Sequence, residues 1–245
     1  MAVNFNLGND TGYFPFKPSY LASSLRKLIA NGDLRQGSVF LDFGGGAGWP
    51  VIEAAEAGLN AYAIEINKKL VEDGKNNIKN ARKNKLISPD TSCEIIEGSY
   101  FPEEYIECRK KGQTIATKYE NGVFTWVVCG ELIRGQFDDA KIKEVFYPVA
   151  TSPDPYELLG IGLDDVDIFF SYTWGIELPS QLELFSKYGK KDAVMLSVAA
   201  RSLIKHEDLM KDLGLKYEEF ADYYPSCVQR PAYRYNKILK IMKHF

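Results

Sequence analysis

Asp42, Gly44, Gly46, Gly48 and Glu65 are the residues whose types and spacing could do chemistry. The glycines follow Val39-Phe40-Leu41, a short apolar run of strand character, so their turn falls at the carboxyl end of a strand. That is where an open α/β sheet binds its ligands, and backbone without side chains lets a ligand come close to the amides. Glu65 lies near the end of a second strand, Ala61 to Ile66, and a carboxylate at such a tip can accept hydrogen bonds from both hydroxyls of a ribose. This is the chemistry of a nucleoside site. Phosphate-bearing nucleosides fit less well. A dinucleotide fingerprint wants a glycine three positions after Gly46, where Trp49 stands, and a P-loop wants a lysine after the glycines, where none follows.

The pattern Asp42-x-Gly44-x-Gly46-x-Gly48, joined to an acidic residue at the close of the second strand, resembles the class I S-adenosylmethionine-dependent methyltransferases. Their first motif is an acidic residue followed by G-x-G-x-G. The resemblance implies an α/β, Rossmann-like fold with a mostly parallel seven-stranded sheet and a reversed last strand. It also implies S-adenosyl-L-methionine as cofactor. Gly44, Gly46 and Gly48 would border its methionyl part, Asp42 would help hold its amino group, and Glu65, with Ile66 beside it, would grip the ribose.

Three further stretches are placed by the same resemblance. The family often carries an acidic residue after the third strand to bond the adenine amino group. Here Ser99 stands instead, its hydroxyl or backbone able to make the contact, with Tyr100 or Phe101 available to cover the ring. The fourth strand ends in Ser171-Tyr172-Thr173-Trp174, where substrate and methyl group should meet. Nucleic-acid members have N-P-P-[YF] or D-P-P-[YF] at that tip, so the sequence argues against methylation of a base amine. Tyr172 is the candidate catalytic residue and Ser171 a candidate cofactor contact. Finally, Tyr13-Phe14-Pro15-Phe16-Lys17-Pro18 is similar to the F-x-P-T-like lid of small archaeal protein-lysine methyltransferases, with Lys17 in place of the threonine. Tyr13 and Phe14 are therefore candidate cofactor contacts, or an aromatic strap packed on the core.

The positioning elements follow from periodicity. Leu21, Leu25, Leu28 and Ile29 recur at helical spacing after Ser19, and Gly32 suits a stop. Pro50 opens and Gly58 closes a helix after the glycine turn. Asn67 to Lys85 reads as a helix with Leu70, Val71, Ile78 and Ala81 inward and a basic outer face, read as solvated surface. Strands are expected at Cys93 to Glu97, Asp167 to Tyr172, Asp192 to Ala199, Leu215 to Phe220 and Tyr235 to Met242. Leu182 and Phe185 mark a helix running to Gly189, and another spans Ser202 to Leu213, carrying His206 as a weaker candidate base. Residues 1–18 read as a lid segment and 102–165 as a β-rich insertion, with a hairpin at Asn121-Gly122 between Ile115–Tyr119 and Val123–Cys129. Asp154-Pro155-Tyr156 lacks the second proline of D-P-P-Y and does not directly follow a strand.

The 245 residues suffice for one such domain with embellishment. A net charge of −3 argues against bulk nucleic acid as partner. Cys93, Cys108, Cys129 and Cys227 form no C-x-x-C pair, and His206 and His244 are far apart, which disfavours zinc. The cysteines read as reduced thiols of a cytoplasmic protein, although four could form two bridges in a secreted one, and no apolar run approaches the length of a membrane span. The expected function is methyl transfer from S-adenosyl-L-methionine to a protein side chain or small molecule. A binding subunit or sensor that keeps the pocket but transfers nothing is the alternative.

Overall fold

A computed structural model describes residues 20–105, 132–135, 142–146, 153–172, 178–198, 207–223 and 236–244. Helix α1, Tyr20–Ala30, buries Leu21, Leu25 and Leu28 on one face and ends before Gly32. Strand β1, Val39–Phe43, runs into the glycine turn, from which helix α2, Trp49–Glu56, departs with Pro50 in its first turn. Strand β2, Asn60–Glu65, follows, then helix α3, Lys68–Lys83, and strand β3, Cys93–Glu97. Asn67 caps α3, its side chain accepting from the Lys69 and Leu70 N–H groups.

The expected hairpin around Asn121-Gly122 lies outside the described residues. An antiparallel pair does form farther along, of β4, Leu132–Gly135, with β5, Ile142–Phe146. A short helix α4, Pro155–Leu159, follows, capped by Asp154, so the Asp-Pro-Tyr stretch opens a helix. The chain then lays down β6, Ile168–Ser171; α5, Leu178–Tyr188; β7, Val194–Ser197; α6, Glu207–Asp212; β8, Leu215–Tyr223; and β9, Asn236–Lys243. Ser19 and His206 lie outside the described residues.

Seven strands form one sheet in the order β3-β2-β1-β6-β7-β9-β8. All neighbours are parallel except β9, which runs antiparallel to both β7 and β8. The reversed last strand is therefore inserted between its neighbours rather than added at the edge. From β1 the chain winds outward through β2 and β3, then returns to wind the other way through β6 and β7. The switch in direction falls between β1 and β6, and in open α/β sheets ligands bind beyond the carboxyl ends of the strands at such a point.

Strand alternation divides the core in two. One face of the sheet packs Phe40, Ala61, Ala63, Phe170 and Leu196 against Leu21 and Leu25 of α1 and Val51 and Ile52 of α2. The other packs Leu41, Phe43, Ile64, Phe169 and Met195 with Leu178, Leu182 and Phe185 of α5. Among the described residues, no helix is long and apolar enough to cross a membrane.

Candidate cofactor site

Register places the two acids. Asp42 of β1 pairs with Ala63 of β2, so the two side chains share a face, and Glu65, two residues beyond Ala63, lies on that face also. The chain leaves β1 at Gly44, whose N–H bonds the Ile64 carbonyl at 3.0 Å, and turns over Glu65. Gly44, Gly46 and Gly48 have φ of 93°, 52° and 81°, the left-handed region that favours glycine. A side chain at Gly44 would meet nothing within 4 Å. This is the open side of the turn. Gly45 is the opposite case: a β-carbon there would lie 2.5 Å from the Ala63 β-carbon and 3.1 Å from Ile95 Cδ1, so its bare backbone is what seats the turn on β2.

Glu65 is 9% exposed and holds the turn from beneath. One carboxylate oxygen accepts the Gly46 N–H at 2.8 Å and the other accepts the Asn67 N–H at 2.8 Å, the latter at the start of α3. The same carboxylate thus braces the glycine turn and the next helix. From α3, the Asn77 amide donates to the Ala47 carbonyl at 3.0 Å and ties the turn from its other side. Each Glu65 oxygen retains a further lone pair for a ligand hydroxyl.

Asp42 contrasts with Glu65. It is 1% exposed, and neither of its carboxylate oxygens has a hydrogen-bond partner. Burial, and after it the Glu65 carboxylate, push its carboxyl well above the ordinary carboxylate range. The described residues thus leave a dry acid just before a glycine turn without a counterion. The chemistry that completes such a site is a cationic hydrogen-bond donor.

Around this centre, Ile66 is 61% exposed beside Glu65 and offers apolar surface to a planar ring. Ser99 is buried, and its hydroxyl accepts the Phe101 N–H at 3.2 Å. Tyr100 and Phe101 turn into the second core, Tyr100 packing 5.0 Å from the Phe43 ring and 4.5 Å from Phe101. Their rings are committed to holding the loop after β3, so the apolar surface beside Glu65 belongs to Ile66. Ser171, at the end of β6, is fully buried, and its hydroxyl donates to Oε1 of Gln181. The Gln181 amide in turn donates to the Tyr100 hydroxyl at 3.3 Å. Tyr172 is half-buried against the first core. Tyr13 and Phe14 lie outside the described residues.

Sequence reading missed Gln181 and Asn77. Gln181 sits on the buried face of α5 beside Leu178, Leu182 and Phe185, and a polar residue at an apolar helical position was the available signal. Asn77 stands likewise on the inner face of α3 with Ile78 and Ala81. Among the described residues, no group of three His, Cys, Asp or Glu is placed to hold a metal.

No protein-family profile and no curated protein sequence matches the chain. Among solved structures, precorrin-6y C5,15-methyltransferase from Geobacter metallireducens superposes with a TM-score of 0.50 at 15% identity, covering 95% of this chain and 92% of that one. The chain has the Rossmann-like methyltransferase fold. Magnesium protoporphyrin IX methyltransferase from Synechocystis, solved with S-adenosylmethionine bound, has a TM-score of 0.49 at 11% identity, over 91% of this chain and 77% of that one. The ribosomal protein L11 methylase of Lactobacillus delbrueckii has a TM-score of 0.46 at 10% identity, over 93% and 81%. In the methyltransferase fold of this chain, Asp42, the glycine turn and Glu65 stand at the carboxyl ends of β1 and β2, next to the strand switch point.

Proposed function

We propose that this protein binds S-adenosyl-L-methionine and transfers its methyl group to a protein side chain or a small molecule. The observation that carries the reading is the unpartnered Asp42 carboxylate, two residues before Gly44, where a β-carbon would meet open space. A nucleoside bearing an ammonium group supplies the missing donor. Glu65 and Ile66 sit where its ribose and adenine would lie, the carboxylate accepting from ribose hydroxyls and the exposed isoleucine packing on the base. A dinucleotide brings no such cation, and Trp49, buried in the first core at the start of α2, occupies the position where its fingerprint needs glycine.

The sulfonium supplies an electrophilic methyl carbon, so the protein's work is to align the acceptor and exclude water. Asp42 and the glycine turn would fix the amino-acid end of the cofactor, and Glu65 the ribose. Tyr172, following β6 at the switch point, is the side chain we assign to the acceptor side, where a phenol could take a proton from an incoming nucleophile. Ser171, bonded to Gln181, supports that tip from below.

A second reading, a cofactor-binding subunit or sensor, is favoured by one observation: the Ser171 hydroxyl is turned into the protein and spent on Gln181, so it is no base at the tip. Equilibrium binding of S-adenosyl-L-methionine against NAD tests the cofactor assignment, and tighter binding of NAD would refute it. Transfer of labelled methyl to a protein extract or a metabolite pool separates the enzyme from the sensor. Transfer that survives Tyr172→Phe unchanged would remove Tyr172 from the chemistry.

A further inference from the structure

We propose that Asp42 carries a proton in the ligand-free protein and surrenders it to solvent when a cationic amino group docks, so that cofactor binding is coupled to release of one proton. The proposal rests on the cofactor reading above and deepens it. Its basis is geometric. Both Asp42 oxygens are sealed from water and accept no hydrogen bond, a setting in which an ionised carboxylate is not sustained and the neutral acid takes its place.

Among the described residues, nothing else neutralises it. From β2, Glu65 is the charged group that acts on Asp42, and it raises the cost of ionising it. From β6 come Phe170 and Ser171, followed by Tyr172, none of them charged. From α2, the buried Glu53 turns to the start of α1, accepting the Ala22 N–H at 2.8 Å. On α1, Arg26 pairs with Glu56 and Lys27 bonds the Phe220 carbonyl, both away from Asp42. On α3, Asp73 is half-buried and adds no positive charge. Asp42 therefore faces one acid and no base among the described residues.

Docking reverses the balance. The amino group arrives as ammonium, the Asp42 O–H bond breaks, its proton passes to bulk water, and the carboxylate accepts from the ammonium N–H. Atoms and charge balance: one cation enters and one proton leaves. Below the pKa that Asp42 has in the ligand-free protein, affinity for the ammonium-bearing nucleoside should rise up to about tenfold per pH unit. S-adenosylhomocysteine, which keeps the amino-acid moiety, should show the effect. Methylthioadenosine, which keeps the adenosine and thioether but has no amino group, should not.

The test is calorimetric titration of the full chain at about pH 6.5 and below, where a free α-amino group is still protonated. Running it in buffers of low and high ionisation enthalpy yields the protons released. We expect proton release for S-adenosylhomocysteine that grows toward one as the pH is lowered below the ligand-free pKa of Asp42, none for methylthioadenosine, and none for either with Asp42→Asn. Equal release with both nucleosides, or undiminished release from Asp42→Asn, overturns the proposal. Infrared difference spectroscopy of the ligand-free protein, wild type minus Asp42→Asn, reports on the resting state without any ligand. A protonated-carboxyl band lost in the variant is expected, and its absence overturns the proposal even if binding is intact. If neither nucleoside binds while the band is present, the cofactor reading fails and the release step with it, but the buried neutral acid stands.

Discussion

Replacing Glu65 should damage the fold as well as the site. Its two oxygens accept the Gly46 and Asn67 N–H groups, each at 2.8 Å, so Glu65→Ala leaves two donors without their acceptor. Hydrogen bonds to a charged group contribute about 1.5–3 kcal/mol each. Gly46 is buried, whereas Asn67 is half-buried and water can take over part of that bond. The net loss should be about 3 kcal/mol, which lowers the melting temperature by about 6–12 °C for a chain of this size. Glu65→Gln keeps one acceptor but turns an N–H toward the other donor, so it should fall between the two. Urea unfolding gives the order wild type, Glu65→Gln, Glu65→Ala. Ligand at a hundredfold excess over its dissociation constant should add about 2.7 kcal/mol to the wild type and less to either variant. An alanine variant within about 0.5 kcal/mol of wild type would refute the bracing role.

Other outcomes follow from the same geometry. Gly45→Ala drives a β-carbon to 2.5 Å from Ala63 and should cost about 1–3 kcal/mol by overpacking. Gly44→Ala, at φ 93° but facing open space, should cost about 1–2 kcal/mol in backbone strain and weaken nucleoside binding out of proportion to its stability. Retained binding with Gly44→Ala would show that the open side of the turn holds no ligand. For Asp42, the folded protein retains a proton that the unfolded chain gives up in the ordinary carboxylate range. Raising the pH from about 4 therefore costs ligand-free wild type about 1.4 kcal/mol per unit relative to Asp42→Asn, until the folded pKa is passed. Denaturant melts of the pair across pH measure this slope, and a flat difference contradicts a buried neutral acid. Burial pushes the Cys93 thiol up to about 12, and it is 4% exposed. At about pH 8, alkylation followed by peptide mapping should leave Cys93 unlabelled in the native protein and labelled in urea.

Much of the architecture was legible in the chain because it rests on local rules. Alternating apolar runs marked β1, β2, β3, β6 and β7 within two residues at each end. The glycine spacing marked the turn after β1, since a tight turn at a strand end needs left-handed backbone wherever the strand sits in the sheet. The basic face of α3 and the inward Leu70, Val71, Ile78 and Ala81 followed from helical period alone.

What the sequence by itself determined was thus the identity of the acids and the turn between them; what only the tertiary structure decided was which acid is satisfied. Glu65 and Asp42 look interchangeable on paper. Parallel pairing in register puts both on one face, one under the Gly46 amide and the other buried with no donor in reach among the described residues. The same holds for Tyr100, whose ring joins Phe43 in the core, and for Gln181, which meets Ser171 only because α5 packs back along β6. Hydrogen-bond partners come from residues distant in the chain and meet only on folding, so a carboxylate's charge state is a property of the fold, while the carboxylate itself is a property of the sequence.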